Sequence, residues 1–249
     1  MMPSSAGSQH VGALLLGDSR FPAGGHAYSG GAEPAVTAQT VTGLGSLELF
    51  LRGRLRTAGL VAAALAAAAC ARARGTPEGA AAPVLDDYWE LLDAEADART
   101  PAPAQREASR RQGRALLRAA RVAWPDAPCL AVLAAAAAAA RPEHRGGPHH
   151  AVVLGAAAAA AGCPPGEAAR IAAYQAVAGP ASSVVRLLAL DPMRATGVLA
   201  RLAGDIEAIA EQGAAHADGP PGELPCPSAP ALDLLAQTHI GAEVRLFES

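Results

Sequence analysis

The chain has 249 residues and a mass of 24.8 kDa; about a quarter of its positions are alanine, and aromatic residues supply only 3%. All 20 basic residues are arginine, which excludes a lysine-dependent phosphate loop, a protein kinase and Schiff-base or pyridoxal-phosphate chemistry. A net charge of -3 and a pI near 6.2 exclude the basic footprint of a nucleic-acid-binding domain.

In chain order, Met1–His10 lacks a basic n-region, and the apolar run Val11–Leu16 is too short for a signal peptide. The sequence then predicts a bundle of eight to ten helices in one all-α domain spanning 1–249, with residues 1–10 flexible. Leu44–Arg74 reads as one long helix ended by Gly75-Thr76-Pro77, and Pro83–Ala98 as another. Ala104–Arg121 and Ala127–Arg141 follow, separated by Trp124-Pro125. His149–Ala161 stops at Gly162-Cys163-Pro164-Pro165, and Gly166–Ala178, Ala181–Ala189 and Pro192–Glu211 complete the bundle. His216–Pro230 carries five prolines and reads as an irregular connector. A short helix, Ala231–Thr238, then leads into a tail over 239–249.

The uncharged apolar stretches Thr57–Ala71 and Ala151–Cys163 are shorter than a bilayer span of about 20 residues. Cys70, Cys129, Cys163 and Cys226 form no C-x-x-C pair. A soluble cytoplasmic protein with reduced thiols, not engaged with membrane, is expected.

Several groups of residues invite a chemical reading. Asp86-Asp87-x-x-Glu90 resembles the magnesium motif of all-helical prenyl-diphosphate enzymes, against the alternative of acids at a helix start. His149 and His150 are adjacent, so on a helix they diverge by about 100° and suit a helix start better than a shared metal. Ser19, Ser29, Ser109, Ser182 and Ser183 lack the G-x-S-x-G context of a hydrolase. Arg106, Arg110, Arg114 and Arg118 recur at i+4, either as a solvated face or as a docking face for an acidic partner.

Leu14–Glu33 reads L-L-L-G-D-S-R-F-P-A-G-G-H-A-Y-S-G-G-A-E. It resembles the N-terminal signature of the urease accessory protein UreF family, L-x-L-x-D-S-x-[FL]-P-x-G-[GA]-[FYH]-x-[HY]-S-x-G-x-E. Arg106-Glu107-Ala108-Ser109 with Gly113 and Leu116 resembles the family's R-x-A-S-x-x-x-G-x-x-L helix, and His150 through Gly155, with Gly162, its H-x-x-V-x-x-G helix. Thr238-His239, Arg245-Leu246-Phe247 and Ser249 resemble its H-…-R-L-F-x-S ending. Gly30-Gly31 and Pro34 depart toward residues less favourable to helix.

The resemblance implies a non-enzyme with no catalytic residue, cofactor or metal site of its own. Family members are all-α dimers that join UreD (also called UreH) and the GTPase UreG to apo-urease for nickel insertion. Carried over by position, Arg245, Leu246 and Phe247 belong to the tail that meets UreD, and Tyr174 and Arg186 to the GTPase-facing surface. The Phe21–Gly31 turn is either a strained glycine turn or a partner or tunnel surface using Ser19, His26, Tyr28, Ser29 and Glu33. Arg106 and Arg110 stand as partner contacts on the arginine face.

Overall fold

A computed structural model describes residues 5–22, 25–76, 87–139, 146–239 and 246–247. Every regular element among the described residues is helical, so the all-α expectation holds. The elements are α1 (Ser5–Gly17), α2 (Ala32–Thr37), α3 (Leu44–Arg54), α4 (Leu60–Arg74), α5 (Asp87–Ala98) and α6 (Pro103–Ala123). They continue with α7 (Pro128–Ala139), α8 (His150–Ala160), α9 (Pro165–Leu188), α10 (Pro192–Arg201), α11 (Ala203–Ala214) and α12 (Pro230–His239).

Helix α4 is the axis of the bundle, packing against α8, α9 and α11, while α6 covers the far side of α8. Its sequence, Leu60-Val-Ala-Ala-Ala-Leu-Ala-Ala-Ala-Ala-Cys70, is apolar all round because it is enclosed all round. Ala64, Leu65, Ala68 and Cys70 enter a core with α5, α7 and α8, in which Trp89 and Leu92 are the bulky anchors. Leu60, Ala63 and Ala67 enter a second core with α2, α3, α9, α10 and α11. By length and composition the run Leu44–Arg74 would cross a bilayer, but 67% of its apolar window is buried inside the bundle, as in a core helix. No disulfide joins the four cysteines; Cys70, Cys129 and Cys163 are buried, and burial pushes the Cys70 thiol up to about 12.

Small residues set the spacing. Gly155 of α8 lies so close to α4 that an added Cβ would stand 2.2 Å from the Ala66 carbonyl oxygen and 2.6 Å from the Ala69 Cβ. Nothing larger than a hydrogen fits between those two backbones.

Three sequence expectations need correction. Leu44–Arg74 is continuous but not uniform: Leu55–Gly59 forms a π-turn between α3 and α4. A single helix, α9, replaces the two expected on either side of Gly179-Pro180. Proline deprives the Ala176 carbonyl of its helical donor, but the Nε of Arg54 donates to that oxygen at 3.0 Å and the helix runs on. Conversely, Pro192–Glu211 is two helices, because Leu202, fully buried, tightens to ψ -4° and turns the chain between α10 and α11.

Candidate partner-binding site

Leu246 and Phe247 are fastened to α2. Glu33 is buried in the first turn of α2, and its Oε1 and Oε2 accept the backbone N–H groups of Leu246 and Phe247 at 2.8 and 2.9 Å. A carboxylate taking two amide donors is a strong fixing point. The Phe247 ring is 8% exposed, and the Arg186 guanidinium of α9 lies 4.4 Å above its centroid. Leu246, beside it, is 70% exposed. Thus Glu33, Arg186, Leu246 and Phe247, drawn from three distant parts of the sequence, form one constellation. Arg245 lies outside the described residues.

Next to this constellation is a cavity of about 950 Å³, whose wall includes Ser19, Tyr28, Tyr174 and Arg186. Ser19 is exposed and Tyr174 is 41% exposed, so both stand where the cavity meets the surface. The Gln175 side chain anchors α9 to α1 through a 2.8 Å bond to the Leu16 carbonyl. Ser29 is fully buried, and its hydroxyl has no hydrogen-bond partner among the described residues. His26 falls in a short 3-10 turn, Gly25–Ala27, its side chain outside the described residues.

The arginine row on α6 divides by depth. Arg110 is buried and forks across two acids of α5: Nη1 to Asp93 Oδ2 at 2.7 Å and Nη2 to Asp97 Oδ2 at 2.6 Å. Its Nη1 also donates to the Gly147 carbonyl at 2.5 Å. Arg106 donates to the carbonyls of Thr100 and Pro101 at 2.8 and 2.9 Å, closing the α5–α6 corner. Of the two partner candidates, Arg110 therefore faces inward and Arg106 is half-buried, while Arg111, Arg114, Arg118 and Arg121 are the exposed arginines of α6.

His149 completes the buried network at the start of α8. Its N–H donates to Asp93 Oδ1 at 2.8 Å, its Nε2 meets Asp97 Oδ1 at 2.8 Å, and its Nδ1 meets Ser109 Oγ at 3.0 Å. An ionised carboxylate only accepts, so Nε2 carries the donated proton. Ser109 Oγ also accepts the His150 N–H at 3.2 Å, which fastens α6 to α8. Burial pushes the Asp97 pKa up, but hydrogen bonds from His149 and Arg110 outweigh it and hold that carboxyl below the usual range. Close approach of the helices again depends on a glycine: a Cβ on Gly113 would stand 2.0 Å from the Pro148 carbonyl oxygen.

Asp93, Asp97 and His149 are residue types that hold metals, and their candidate ligand atoms lie within 4.8 Å of one another. Each of the four carboxylate oxygens already holds an Arg110 or His149 nitrogen, so an ion there would have to displace them. The helix-start role expected for this histidine pair is the one observed: His149 is the N-cap position and His150 the first residue of α8. Of the proposed magnesium motif, Asp86 lies outside the described residues. Asp87 and Glu90 are exposed in the first turn of α5, where acids favour the helix dipole; nothing in their placement supports a diphosphate site.

Sequence reasoning missed Asp93 and Asp97, although their i,i+4 spacing puts both on one face of α5. Arg99 was missed as well. Its side chain donates to the carbonyls of Leu224 and Pro225 at 2.8 and 3.1 Å, and to Gly222 at 3.2 Å, pinning the proline-rich connector to α5.

The chain resembles known proteins over most of its length. A profile of the UreF family matches residues 41–203. The chain is 44% identical over 236 residues to the urease accessory protein UreF of Mycobacterium sp. (strain JLS), covering 95% of this chain and 97% of that one. It is 42% identical over 244 residues to the UreF of Mycolicibacterium vanbaalenii, covering 95% and 97%. It is also 42% identical over 234 residues to that of Mycobacterium tuberculosis (strain H37Rv), covering 91% and 92%. The chain belongs to the UreF family of urease accessory proteins.

Proposed function

We propose that this chain is the adaptor that joins the accessory protein UreD (UreH) and the GTPase UreG to apo-urease while nickel is inserted. It acts in the cytoplasm as a homodimer and performs no catalysis itself. Family membership supports the adaptor role, and a lysine-free sequence without a nucleotide loop leaves nucleotide hydrolysis to a partner.

The observation that carries the UreD-facing assignment is the C-terminal constellation. Glu33 fixes the amides of Leu246 and Phe247, Phe247 serves as the buried anchor, and Leu246 is left on the surface. An apolar side chain held outward on a fixed backbone loses little further entropy on binding. Tyr174 and Arg186 of α9 provide the neighbouring surface for UreG.

Deleting Arg245–Ser249 is expected to abolish co-purification with UreD while leaving the helical circular dichroism unchanged. Glu33→Ala, which keeps the tail sequence and releases its amides, is expected to weaken the same capture. Full retention of UreD by both variants would overturn the assignment of this end of the molecule.

A further inference from the structure

Pro180 leaves the Ala176 carbonyl without a helical donor, and Arg54 Nε fills that place at 3.0 Å. The same guanidinium lies against Gly30, whose φ of +59° suits glycine. A Cβ there would stand 2.9 Å from Arg54 Nη2 and 3.1 Å from Pro180 Cγ. Arg54 is therefore wedged between the Gly30 turn and α9, and its position is set from both sides.

That structural role uses one of the five N–H donors of a guanidinium. The two Nη groups have no hydrogen-bond or carboxylate partner among the described residues. Arg54 is part of the cavity wall, as are Arg99 and Arg186. Arg99 is committed to the carbonyls of the connector, and Arg186 lies over Phe247. The acids on that wall, Asp18 and Asp233, make no ion pair with Arg54. Surrounding protein pushes the Arg54 pKa down to about 10 by desolvation, which still leaves it charged at neutral pH. A partly buried cation with no counter-charge among the described residues is costly, and a bound anion relieves that cost.

We propose that the Nη groups of Arg54 anchor a site for a small, freely diffusing oxyanion of the phosphate or carboxylate class in the cavity wall. A guanidinium fixed at Nε presents its two Nη groups as a fork, which matches two oxygens of such an anion. Placement beneath the Gly30 turn favours a diffusing ion over the side chain of a docking protein. The site is independent of the adaptor reading, since it rests on this chain alone.

The test is calorimetric titration of the full-length protein with sodium phosphate, and separately with sodium acetate, at pH 7.5 and an ionic strength held constant with sodium chloride. Saturable one-site binding of phosphate or acetate is expected. Arg54→Gln should weaken it at least tenfold, and Arg54→Lys, which keeps the charge but loses the fork, at least threefold. Gly30→Ala should weaken it too, because the new Cβ displaces Nη2. Absence of saturable binding to the unmodified protein, or unchanged affinity in a folded Arg54→Gln variant, would overturn the site. If Arg54→Gln does not fold, Arg54→Lys decides, and wild-type affinity in that variant counts against it.

Discussion

Arg110 shows how much one side chain fixes in a protein with few bulky residues. It bridges Asp93 and Asp97 and holds the Gly147 carbonyl, tying α5, α6 and the entry to α8 at one point. Arg110→Ala leaves two largely buried carboxylates without their cation and should cost about 3–5 kcal/mol in urea unfolding. His150 acts through pH. Burial lowers its pKa to about 4, below the value near 6.5 of an unfolded histidine. Between those values the unfolded chain binds more protons, so this contribution is complete above about pH 6.5 and is lost as pH falls toward 4. The slope contributed is at most about 1.4 kcal/mol per pH unit, and His150→Gln should flatten it. Asp97 adds a later loss, below about pH 4, because its folded pKa lies beneath its unfolded one. Unfolding midpoints measured from pH 7 to 3 for both proteins separate the two effects.

At the scale of elements, packing overrides propensity, and two glycines give opposite signs. Gly155→Ala improves helix propensity by about 1 kcal/mol but drives a Cβ into the α4 backbone, so it should destabilise by a net of about 1–3 kcal/mol. Gly53, in α3, has nothing within 4 Å of its would-be Cβ, and Gly53→Ala should stabilise by about 0.5–1 kcal/mol. Thermal or urea denaturation of both variants checks the contrast. The connector over 216–230 is likewise an element with a fastening. Its prolines hold it to a single 3-10 turn, Pro221–Glu223, and Arg99 holds its carbonyls. Arg99→Met should raise limited proteolysis within 216–230 several-fold while leaving the far-UV circular dichroism unchanged. Equal cleavage of the two proteins would show that Arg99 does not restrain it.

For the molecule as a whole, alanine density and glycine-proline punctuation made the all-α class readable, and the two chain ends carried the family. What the sequence did not reveal depends on contacts between distant residues. Pro180 is a helix breaker until Arg54, 126 positions earlier, supplies the missing donor. The α6 arginines look like one solvated row until Asp93 and Asp97 draw Arg110 inside. Glu33 and Phe247, each singled out in its own motif, are joined only by the fold. The same economy fits the adaptor proposed above: thin contacts between small side chains hold the bundle, and the fixed Leu246-Phe247 pair presents Leu246 outward. The most direct measurement co-expresses urease structural subunits and the other accessory proteins with and without this chain, reading urease activity and bound nickel. Loss of both in its absence, restored by the intact chain, is the predicted result; unchanged activity and nickel content would contradict the account.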